Sequence, residues 1–385
     1  MTAVVWITSV APAAAVTWDT GPFAISGPGQ GAAWTTAAAF PTDELGHQLV
    51  GVAYRELLAG KPRVYYRRSQ GGETWEAPTL LSGAGAFAAS RPALAWVGSK
   101  VDAVWSEVAS DETSRIMYRS SSDGGATWGD PIPLSPTGTS VGFAKVARDG
   151  VGRVIVTYTD ENSGKVFVRI SVDGGLAFGM RRALGQTSNQ PWDGEVAFDA
   201  FPTVAVARGV FHLAFFADGA NLKYRRSTDL GATWAASRTM SRAGNAFFPQ
   251  LIASGQQVVI GYSAFSSSSL YAAYRRSTNK GVQWSTEGVL TSRTGNVTFS
   301  PVFTATSDSW SVSYERCAPG CTSSAVWTRI SEDNGVTFET ESRVSHSGPT
   351  YAWPLGAAFV GTWVSIYSTL RTSTGAERVW SRLGS

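Results

Sequence analysis

The sequence is poor in the residues that build metal centres, with two cysteines and three histidines among 385 residues. A zinc site needs about four ligands, and His47, His212 and His346 are far apart along the chain, so no metal site is predicted. Cys317 and Cys321, in the segment RCAPGC, are interpreted as a local disulfide, with free thiols as the alternative. Disulfides persist in oxidising compartments, which favours an exported protein.

Charge is also scarce in this sequence. Only 16% of the residues are charged, and 32 basic against 29 acidic side chains leave a formal net charge of +3. A net charge this small gives no field that would attract nucleic acid. The sequence also lacks a phosphate-binding loop, a serine nucleophile elbow and a histidine-bearing metal motif. We therefore predict no nucleic-acid partner.

No apolar stretch is long enough to cross a membrane as a helix. Residues 3–16 are mostly apolar, but a spanning helix needs about 20 such residues. The segment APAAA at 11–15 is similar to the cleavage site of a signal peptide, although the basic segment that normally precedes it is missing. Residues 1–15 are interpreted as the remnant of a signal peptide, with a buried strand as the alternative. The protein is predicted to be secreted or at the cell surface.

By contrast, one turn segment that ends in an aromatic residue occurs six times in the sequence. The segments RSSSDGGATW (119–128) and RSTDLGATW (226–234) are close copies, and four looser copies surround them. The last aromatic of each copy recurs at a spacing of about fifty residues, which is typical of propeller repeats. These aromatics are Trp75, Trp128, Phe178, Trp234, Trp284 and Phe338.

Each repeat period contains four short apolar runs bounded by Gly, Asp and Ser, which are typical of β-strands. Four-stranded blades around a central channel follow. After Phe338 only three such runs remain, and Trp18 lies in register with the later aromatics. The sequence therefore predicts an all-β fold, a seven-bladed β-propeller of four-stranded antiparallel blades. We expect one domain over 16–385, closed by the N-terminal strand near 16–26, with six blades as the alternative.

The repeated turn resembles the Asp box, or BNR repeat, of sialidase-like β-propellers, whose pattern is S-x-D-x-G-x-T-W. Ser121, Asp123, Gly125, Thr127 and Trp128 fill that pattern completely. Because one active site does not need six copies, the boxes are interpreted as structural turns, with a calcium or sugar site at each box as the alternative. The six boxes lie near 68–75, 121–128, 171–178, 227–234, 277–284 and 331–338. Their acidic position holds Asp123, Asp173, Asp229, Asn279 and Asp333, and Gln70 in the most divergent copy.

Features that break the repeat are candidates for function, and they map to the face opposite the boxes. Arg91-Pro92 places a charge where most innermost strands open with a neutral residue before Pro. The long connection 185–200 brings a tryptophan and carboxylates to this face, a combination that suits sugar stacking and hydroxyl binding, or a calcium ion. The residues predicted to bind a ligand are Arg91, Trp192, Asp193, Glu195, Arg316 and Arg371.

The second strands end in a ring of aromatic residues that includes Tyr367, in the segment IYSTL (366–370). This segment resembles the Tyr-Ser-x-Leu around the sialidase nucleophile. The resemblance implies Tyr367 as a nucleophile, Glu195 or Glu315 as its partner, and an arginine cluster around the substrate carboxylate. Arg91-Pro92 is similar to the Arg-Ile-Pro that opens sialidase catalytic domains, but the Ile is absent here. A packed tyrosine ring is the alternative, because Tyr recurs in most blades.

The predicted function is binding of a glycan or protein ligand on the loop face, the face that carries the second-to-third and fourth-to-first strand connections. The box face, opposite it, carries the six boxes. The alternative is an exported sialidase-type glycoside hydrolase that uses Tyr367 and the arginines. No cofactor is predicted, with a structural calcium ion as the alternative. The sequence leaves the ligand and the oligomeric state open.

Overall fold

The computed structural model is an all-β protein built as a seven-bladed propeller. It describes residues 17–18, 21–27, 36–39, 49–83, 87–186, 202–217, 221–241, 246–266, 269–292, 298–305, 309–359, 363–374 and 376–384. The strands of these ranges form seven antiparallel sheets, each of which is one blade. The predicted fold class and blade number are therefore confirmed, and the six-bladed alternative is wrong.

The strands of each blade run in chain order from the central axis outward, except that blade 7 takes its outermost strand from near the N terminus. Blade 1 comprises β2 (Thr36–Ala39), β3 (Leu49–Leu58), β4 (Lys61–Gln70), β5 (Thr74–Trp75) and β6 (Thr79–Leu80). Blade 2 comprises β7 (Ala88–Val97), β8 (Lys100–Val108), β9 (Ser114–Ser121) and β10 (Ile132–Pro133). Blade 3 comprises β11 (Val141–Arg148), β12 (Val154–Asp160), β13 (Lys165–Ser171) and β14 (Arg182–Gln186).

The remaining blades keep the same order of strands. Blade 4 comprises β15 (Thr203–Ala207), β16 (Val210–Ala217), β17 (Asn221–Ser227) and β18 (Arg238–Thr239). Blade 5 comprises β19 (Ala246–Ser254), β20 (Gln257–Phe265), β21 (Leu270–Ser277) and β22 (Gly288–Val289). Blade 6 comprises β23 (Thr298–Ala305), β24 (Trp310–Cys317), a 3-10 turn (Pro319–Cys321), β25 (Ser324–Ser331) and β26 (Ser342–Arg343). Blade 7 comprises β27 (Tyr351–Phe359), β28 (Trp363–Arg371), β29 (Ala376–Gly384) and β1 (Phe23–Ala24).

Blade 7 closes the ring with two strands that are distant in sequence. Phe23 pairs with Ser381 of β29 in antiparallel register, and the backbone N–H of Val379 donates to Ser26 Oγ at 3.0 Å. Arg382 donates to the Trp18 carbonyl, which stands where the box aromatics of other blades stand. The predicted closure by the N-terminal strand is thus present in the structure, although residues 1–16 lie outside the described ranges.

Innermost strands of four blades carry a β-bulge at an equivalent place. In blade 2 the pairing shifts between Ser90 and Ala93, so that Arg91 and Pro92 lie together opposite Trp105. Proline has no N–H to offer to a ladder, and a bulge accommodates it. In these blades the bulge lies on the innermost strand, and the ring aromatic lies opposite it on the second strand. Equivalent bulges at 143–144, 248–249 and 300–301 lie opposite Tyr158, Tyr262 and Tyr314.

The box segments form the turns between third and fourth strands on the box face. In blade 2, the Asp123 carboxylate accepts hydrogen bonds from Ser121 Oγ at 2.8 Å, Thr127 N at 2.9 Å and Thr127 Oγ1 at 2.6 Å. Ser121 Oγ in turn accepts from Gly125 N at 2.8 Å. Equivalent serine and backbone bonds recur at Asp173, Asp229, Asn279 and Asp333. Each carboxylate or amide thus closes its own turn.

A tyrosine from the preceding blade occupies the space beneath several boxes. Tyr66 of blade 1 donates to the Gly124 carbonyl at 3.0 Å and meets Trp128 edge-on, with ring centroids 5.1 Å apart. A Cβ at Gly125 would lie 2.2 Å from the Tyr66 ring, and Gly125 has a positive φ of 83°, so only glycine fits this position. Edge-on partners also pair Tyr118 with Phe178, Tyr224 with Trp284 and Tyr274 with Phe338.

In six of the seven blades, a third-strand arginine in the described part of the chain links its blade to the one before it. Arg119 donates to the carbonyls of Gly129 at 2.6 Å and Trp128 at 3.4 Å in its own blade, and to the Leu81 carbonyl of blade 1 at 3.2 Å. Six arginines of this kind reach the preceding blade, namely Arg67, Arg119, Arg169, Arg225, Arg329 and Arg382. Arg67 and Arg225 belong to two of the YRRS segments, so those arginines are part of the scaffold.

The hydrophobic core lies between neighbouring blades. One buried cluster joins Val104 and Tyr118 of blade 2 with Val156 of blade 3. A buried ion pair crosses the same interface, where Arg148 Nη2 donates to Asp102 Oδ1 at 2.8 Å. Tyr118 also donates to Asp102, so this buried carboxylate is fully engaged, as buried charges must be.

We predict that the box aspartates contribute stability and do not bind a ligand. Asp123→Ala removes the acceptor for Thr127 and Ser121, and should lower the free energy of unfolding by about 1–2 kcal/mol. Urea unfolding measures this change, and Asp130→Ala, at an exposed carboxylate of the same blade, is the control. A variant with unchanged stability and lost ligand binding would contradict the structural role.

Candidate functional site

Arg91 stands at the blade 2–3 boundary on the loop face. Its backbone has a positive φ of 55° inside the bulge, and Phe143 and Phe248 have φ of 54° and 49° in the equivalent bulges, so this conformation belongs to the bulge itself. The guanidinium lies 3.8 Å from the Phe143 ring centroid, and Nη1 is 3.7 Å from Glu161 Oε1. Ser140 Oγ donates to Glu161 Oε2 at 2.8 Å. A guanidinium supported in this way can offer paired donors to a carboxylate.

The side chains of Arg91 and Glu161 are about one-third exposed, at 32% and 30%, so both can contact a ligand. Sequence reasoning did not identify Glu161, Phe143 or Ser140. The available signal was the polar residue Asp160 at the end of the second strand of blade 3, because Glu161 is the next residue. Phe143 occupies a bulge without Pro, and the X-Pro pattern therefore passed over it.

Arg316 is engaged within its own blade. Its guanidinium lies 3.9 Å from the Trp327 ring centroid and pairs with the Glu341 carboxylate. Glu341 Oε2 also accepts from the Tyr314 hydroxyl at 2.6 Å. These contacts direct Arg316 toward the outer strands of blade 6, because Glu341 directly precedes β26.

Arg371 is exposed at the end of β28 in blade 7. The three predicted arginines therefore stand on blades 2, 6 and 7, and blade 1 separates blade 2 from blade 7 around the ring. Arg91 contacts Glu161 and Phe143, whereas Arg316 contacts Glu341 and Trp327. Clustering of the three around one carboxylate stays a prediction.

Tyr367 has no exposed surface, and its hydroxyl lies 3.0 Å from His346 Nδ1. Burial raises the pKa of Tyr367 to about 12, so the phenol stays protonated at neutral pH. A nucleophile must touch the substrate and lose its proton, and this geometry favours neither. Sequence reasoning did not identify His346 as the partner, since 21 residues separate the two.

Glu315 is a carboxyl at a repeat position that other blades fill with a hydroxyl residue. It follows the ring aromatic Tyr314, at a place where other blades carry Ser106, Thr159 and Ser263. Its side chain is buried, with 6% exposure, and burial raises its pKa to about 7, while a hydrogen bond with Ser324 opposes the shift. A carboxyl with a pKa near neutrality can exchange a proton under physiological conditions.

The loop after β24 contains the predicted disulfide, which the structure confirms between Cys317 and Cys321. Tyr351 donates to the Cys321 carbonyl at 3.3 Å and so joins this loop to blade 7. The rings of Tyr351 and Trp353 are stacked, with centroids 6.3 Å apart and an interplanar angle of 15°. Both side chains are partly exposed, and such rings can stack against a sugar. Trp353 directly precedes Pro354, so the sequence pattern of a neutral residue before Pro gave no sign of a site there.

An axial cavity of about 540 Å³ is lined by the innermost strands of blades 2 to 7. Within it, Gln250 Oε1 accepts from Phe303 N at 2.5 Å, and Thr203 Oγ1 accepts from Leu251 N at 3.2 Å. Lys145 also lines the cavity, without an ion pair to any described residue, and burial lowers its pKa to about 8. This amine was not identified from the sequence, because it lies within an apolar strand pattern.

Trp192, Asp193 and Glu195 lie outside the described residues, so their predicted roles stay predictions. Within the described ranges, no three His, Cys, Asp or Glu side chains are grouped closely enough to hold a metal ion. The same ranges contain no helix of the length and apolarity needed to cross a membrane.

No protein-family model and no curated protein matches the sequence. Solved structures do match it over nearly its whole length. An ulvan lyase from a polysaccharide lyase family, bound to -[GlcA(1-4)Rha3S]-, has 12% identity and a TM-score of 0.63 over 94% of this chain and 95% of that one. The α-L-arabinofuranosidase Arb93A of Fusarium graminearum, with an iminosugar inhibitor, has 14% identity and a TM-score of 0.54 over 82% and 98%. The endosialidase of phage phi92 has 12% identity and a TM-score of 0.52 over 95% and 69%.

At these identities the likeness is one of fold. Together with the blade count, it places the chain among β-propellers similar to those of sialidases and polysaccharide lyases. A shared fold does not define the reaction, which depends on the residues of the site.

The buried carboxyl of Glu315 makes stability depend on pH. Its pKa is raised from 4.5 to about 7 by folding, so its contribution favours the folded state at low pH and is lost as the pH rises through this window. Glu315→Gln stays neutral, and should exceed the wild type in stability at pH 8 by up to about 3 kcal/mol. Urea unfolding at pH 5 and pH 8 measures the difference, which should shrink at pH 5. Glu73→Gln, at an exposed carboxylate, is the control, and equal pH profiles for wild type and Glu315→Gln would refute the assignment.

Proposed function

We propose that this propeller binds an acidic glycan on its loop face. The observation that carries the proposal is Arg91, a partly exposed guanidinium held over Phe143 and beside Glu161. Guanidinium groups match the geometry of a carboxylate through paired N–H donors. The stacked rings of Tyr351 and Trp353 supply a second feature that suits a sugar.

Residues predicted from the sequence complete the proposed site. Trp192 would add a further apolar platform, while Asp193 and Glu195 would orient hydroxyl groups. Arg371 is exposed on the same face, whereas Arg316 would first have to leave Glu341. Structures of similar fold bear names that refer to ulvan lyase, endosialidase and α-L-arabinofuranosidase activities, and these support a glycan as the ligand.

We also propose that the protein works outside the cytoplasm, secreted or at the cell surface. The disulfide between Cys317 and Cys321 supports this, because such bonds persist in oxidising compartments. The exposed aromatic and arginine features of the loop face would there meet extracellular polysaccharides or glycoproteins.

Arg91→Ala tests the proposed glycan site. A glycan array first identifies binders, and titration calorimetry then compares an acidic oligosaccharide with its neutral analogue. Loss of the charge-assisted hydrogen bonds should weaken binding of the acidic ligand by about 1–3 kcal/mol, or roughly 5- to 150-fold. Arg115→Ala, at an exposed arginine at the start of β9, is the matched control and should leave the affinity unchanged.

Two results would reject this site. Equal affinity for acidic and neutral oligosaccharides would show that no carboxylate is recognised. Equal loss of affinity in Arg91→Ala and Arg115→Ala would show that only general charge is sensed.

A sialidase-type glycoside hydrolase is the second candidate, and Glu315 favours it because its pKa near 7 suits proton transfer. Turnover of fluorogenic sialosides, compared in the wild type, Glu315→Gln and Tyr367→Phe, tests this candidate. A Tyr367 nucleophile requires that Tyr367→Phe abolishes turnover. A binding protein shows no turnover in any of the three, and its affinity is unchanged by Tyr367→Phe.

A further inference from the structure

A second cavity, of about 460 Å³, opens on the box face between blades 3, 4 and 5. Four basic residues line it: Arg153, Arg208, Arg226 and Lys280. No Asp or Glu belongs to the described lining. A concentration of cations without a carboxylate is unusual for this chain, whose overall charges are nearly balanced. We call this cavity the basic pocket.

The cations of the basic pocket are only partly neutralised by the protein. Arg153 Nη1 lies 3.4 Å from Asp149 Oδ2, and Arg226 Nη1 donates to the Lys280 carbonyl at 3.4 Å. The side chains of Arg208 and Lys280 form no hydrogen bond or ion pair with the described residues. Buried His212, paired across the strands with Arg226, has its pKa lowered to about 3 by burial and by that positive charge.

Arg208 occupies a position that the repeat assigns to glycine. It is the first residue of the hairpin between the two inner strands of blade 4, with φ of 46°. The same hairpin position holds Gly98 in blade 2 and Gly255 in blade 5, with φ of 58° and 59°. An L residue in this region costs free energy that glycine avoids.

Lys280 holds the left-handed position of the blade 5 box, with φ of 57°. Three boxes carry glycine at this position and three carry Leu230, Lys280 and Asn334, so the position accepts glycine without requiring it. The left-handed position of the blade 4 box, Leu230, also lines the basic pocket. Glycine fills the same position in three other boxes, so the fold does not require a cation at Lys280. Strain that the fold does not require points to function.

Asn279, the residue before Lys280, breaks the box pattern in the same pocket. Its Oδ1 atom accepts from Ser277 Oγ at 3.0 Å and from Gln283 N at 2.8 Å, which are the bonds that aspartate makes in the other boxes. The amide therefore preserves the turn while it removes a negative charge from the pocket lining. Asparagine at this position, in place of the aspartate of other boxes, suits a pocket that binds an anion.

We propose that the basic pocket binds a saccharide that carries a sulfate or phosphate ester. Guanidinium and ammonium groups recognise such oxyanions through charge-assisted hydrogen bonds. A volume of about 460 Å³ exceeds the needs of a free oxyanion and falls within the range of small-ligand sites. The pocket lies on the face opposite Arg91, so this site is separate from the glycan site proposed on the loop face.

The test uses four probes: glucose 6-sulfate, glucose 6-phosphate, inorganic phosphate and unmodified glucose. We expect the full chain to bind one of the two esters, to bind inorganic phosphate more weakly and to ignore glucose, with affinity that falls as salt rises. Arg208→Gly and Lys280→Gly should each weaken ester binding at least tenfold. Both variants should also melt at or above the wild-type temperature, since glycine relieves the positive φ.

Two further variants sharpen the test. Asn279→Asp should keep the turn and weaken ester binding, because it adds a carboxylate to the pocket. Asn334→Gly changes the equivalent left-handed position of the blade 6 box, outside the pocket, and should leave ester binding unchanged. Arg91→Ala should leave it unchanged as well, which separates this site from the loop-face proposal.

Three outcomes would overturn the proposal. Ester binding that survives both Arg208→Gly and Lys280→Gly would remove the pocket from the interaction. Inorganic phosphate that binds as tightly as the esters would show that no saccharide is recognised. Equal binding of glucose would show that the charge has no part in recognition.

Discussion

The ring depends on the third-strand arginine that, in six blades, bonds both to its own blade and to the blade before it. Arg119 shows how one planar group bonds to three carbonyls, those of Trp128, Gly129 and Leu81. A guanidinium carries five N–H donors in a fixed plane, which an ammonium group cannot match. The bonds fix where the outer strand of one blade ends relative to the turn of the next, so the blades must keep the same size and spacing.

Because the blades must keep the same size and spacing, the fold could be predicted from the sequence. The aromatic and the glycine of every box, and in most blades the tyrosine and the arginine that contact the turn, recur at one spacing, so the period near fifty residues and the seven blades could be predicted. Trp18 was placed correctly in register because it plays the part of a box aromatic toward Arg382. The bulges could not be predicted, because Pro92 and Trp105 are separate in sequence and only strand pairing brings them together.

The candidate site was harder to predict, for a related reason. Departures from a repeat show which residues are unusual, but not what those residues face. Arg316 was predicted to bind a ligand, yet its partner Glu341 comes from the far end of the blade. Asn279 was seen as a departure from the box, and its physical meaning depends on cations that blades 3 and 4 bring to it. A sequence pattern that is read one repeat at a time does not show which side chains from the far end of the blade, or from neighbouring blades, will contact a given residue.

Ring closure has a consequence for the order of events during synthesis. Ser26 bonds to Val379 across 353 residues, so blade 7 cannot be completed until the final strands have left the ribosome. Blades 1 to 6 can associate one after another, because their tyrosine and arginine contacts join neighbours in chain order. β1 must meanwhile stay unpaired, next to an open flank of blade 1. Vectorial folding of this protein therefore ends in a slow, long-range docking step, the stage at which an exposed blade surface is most open to chaperones and to misassembly.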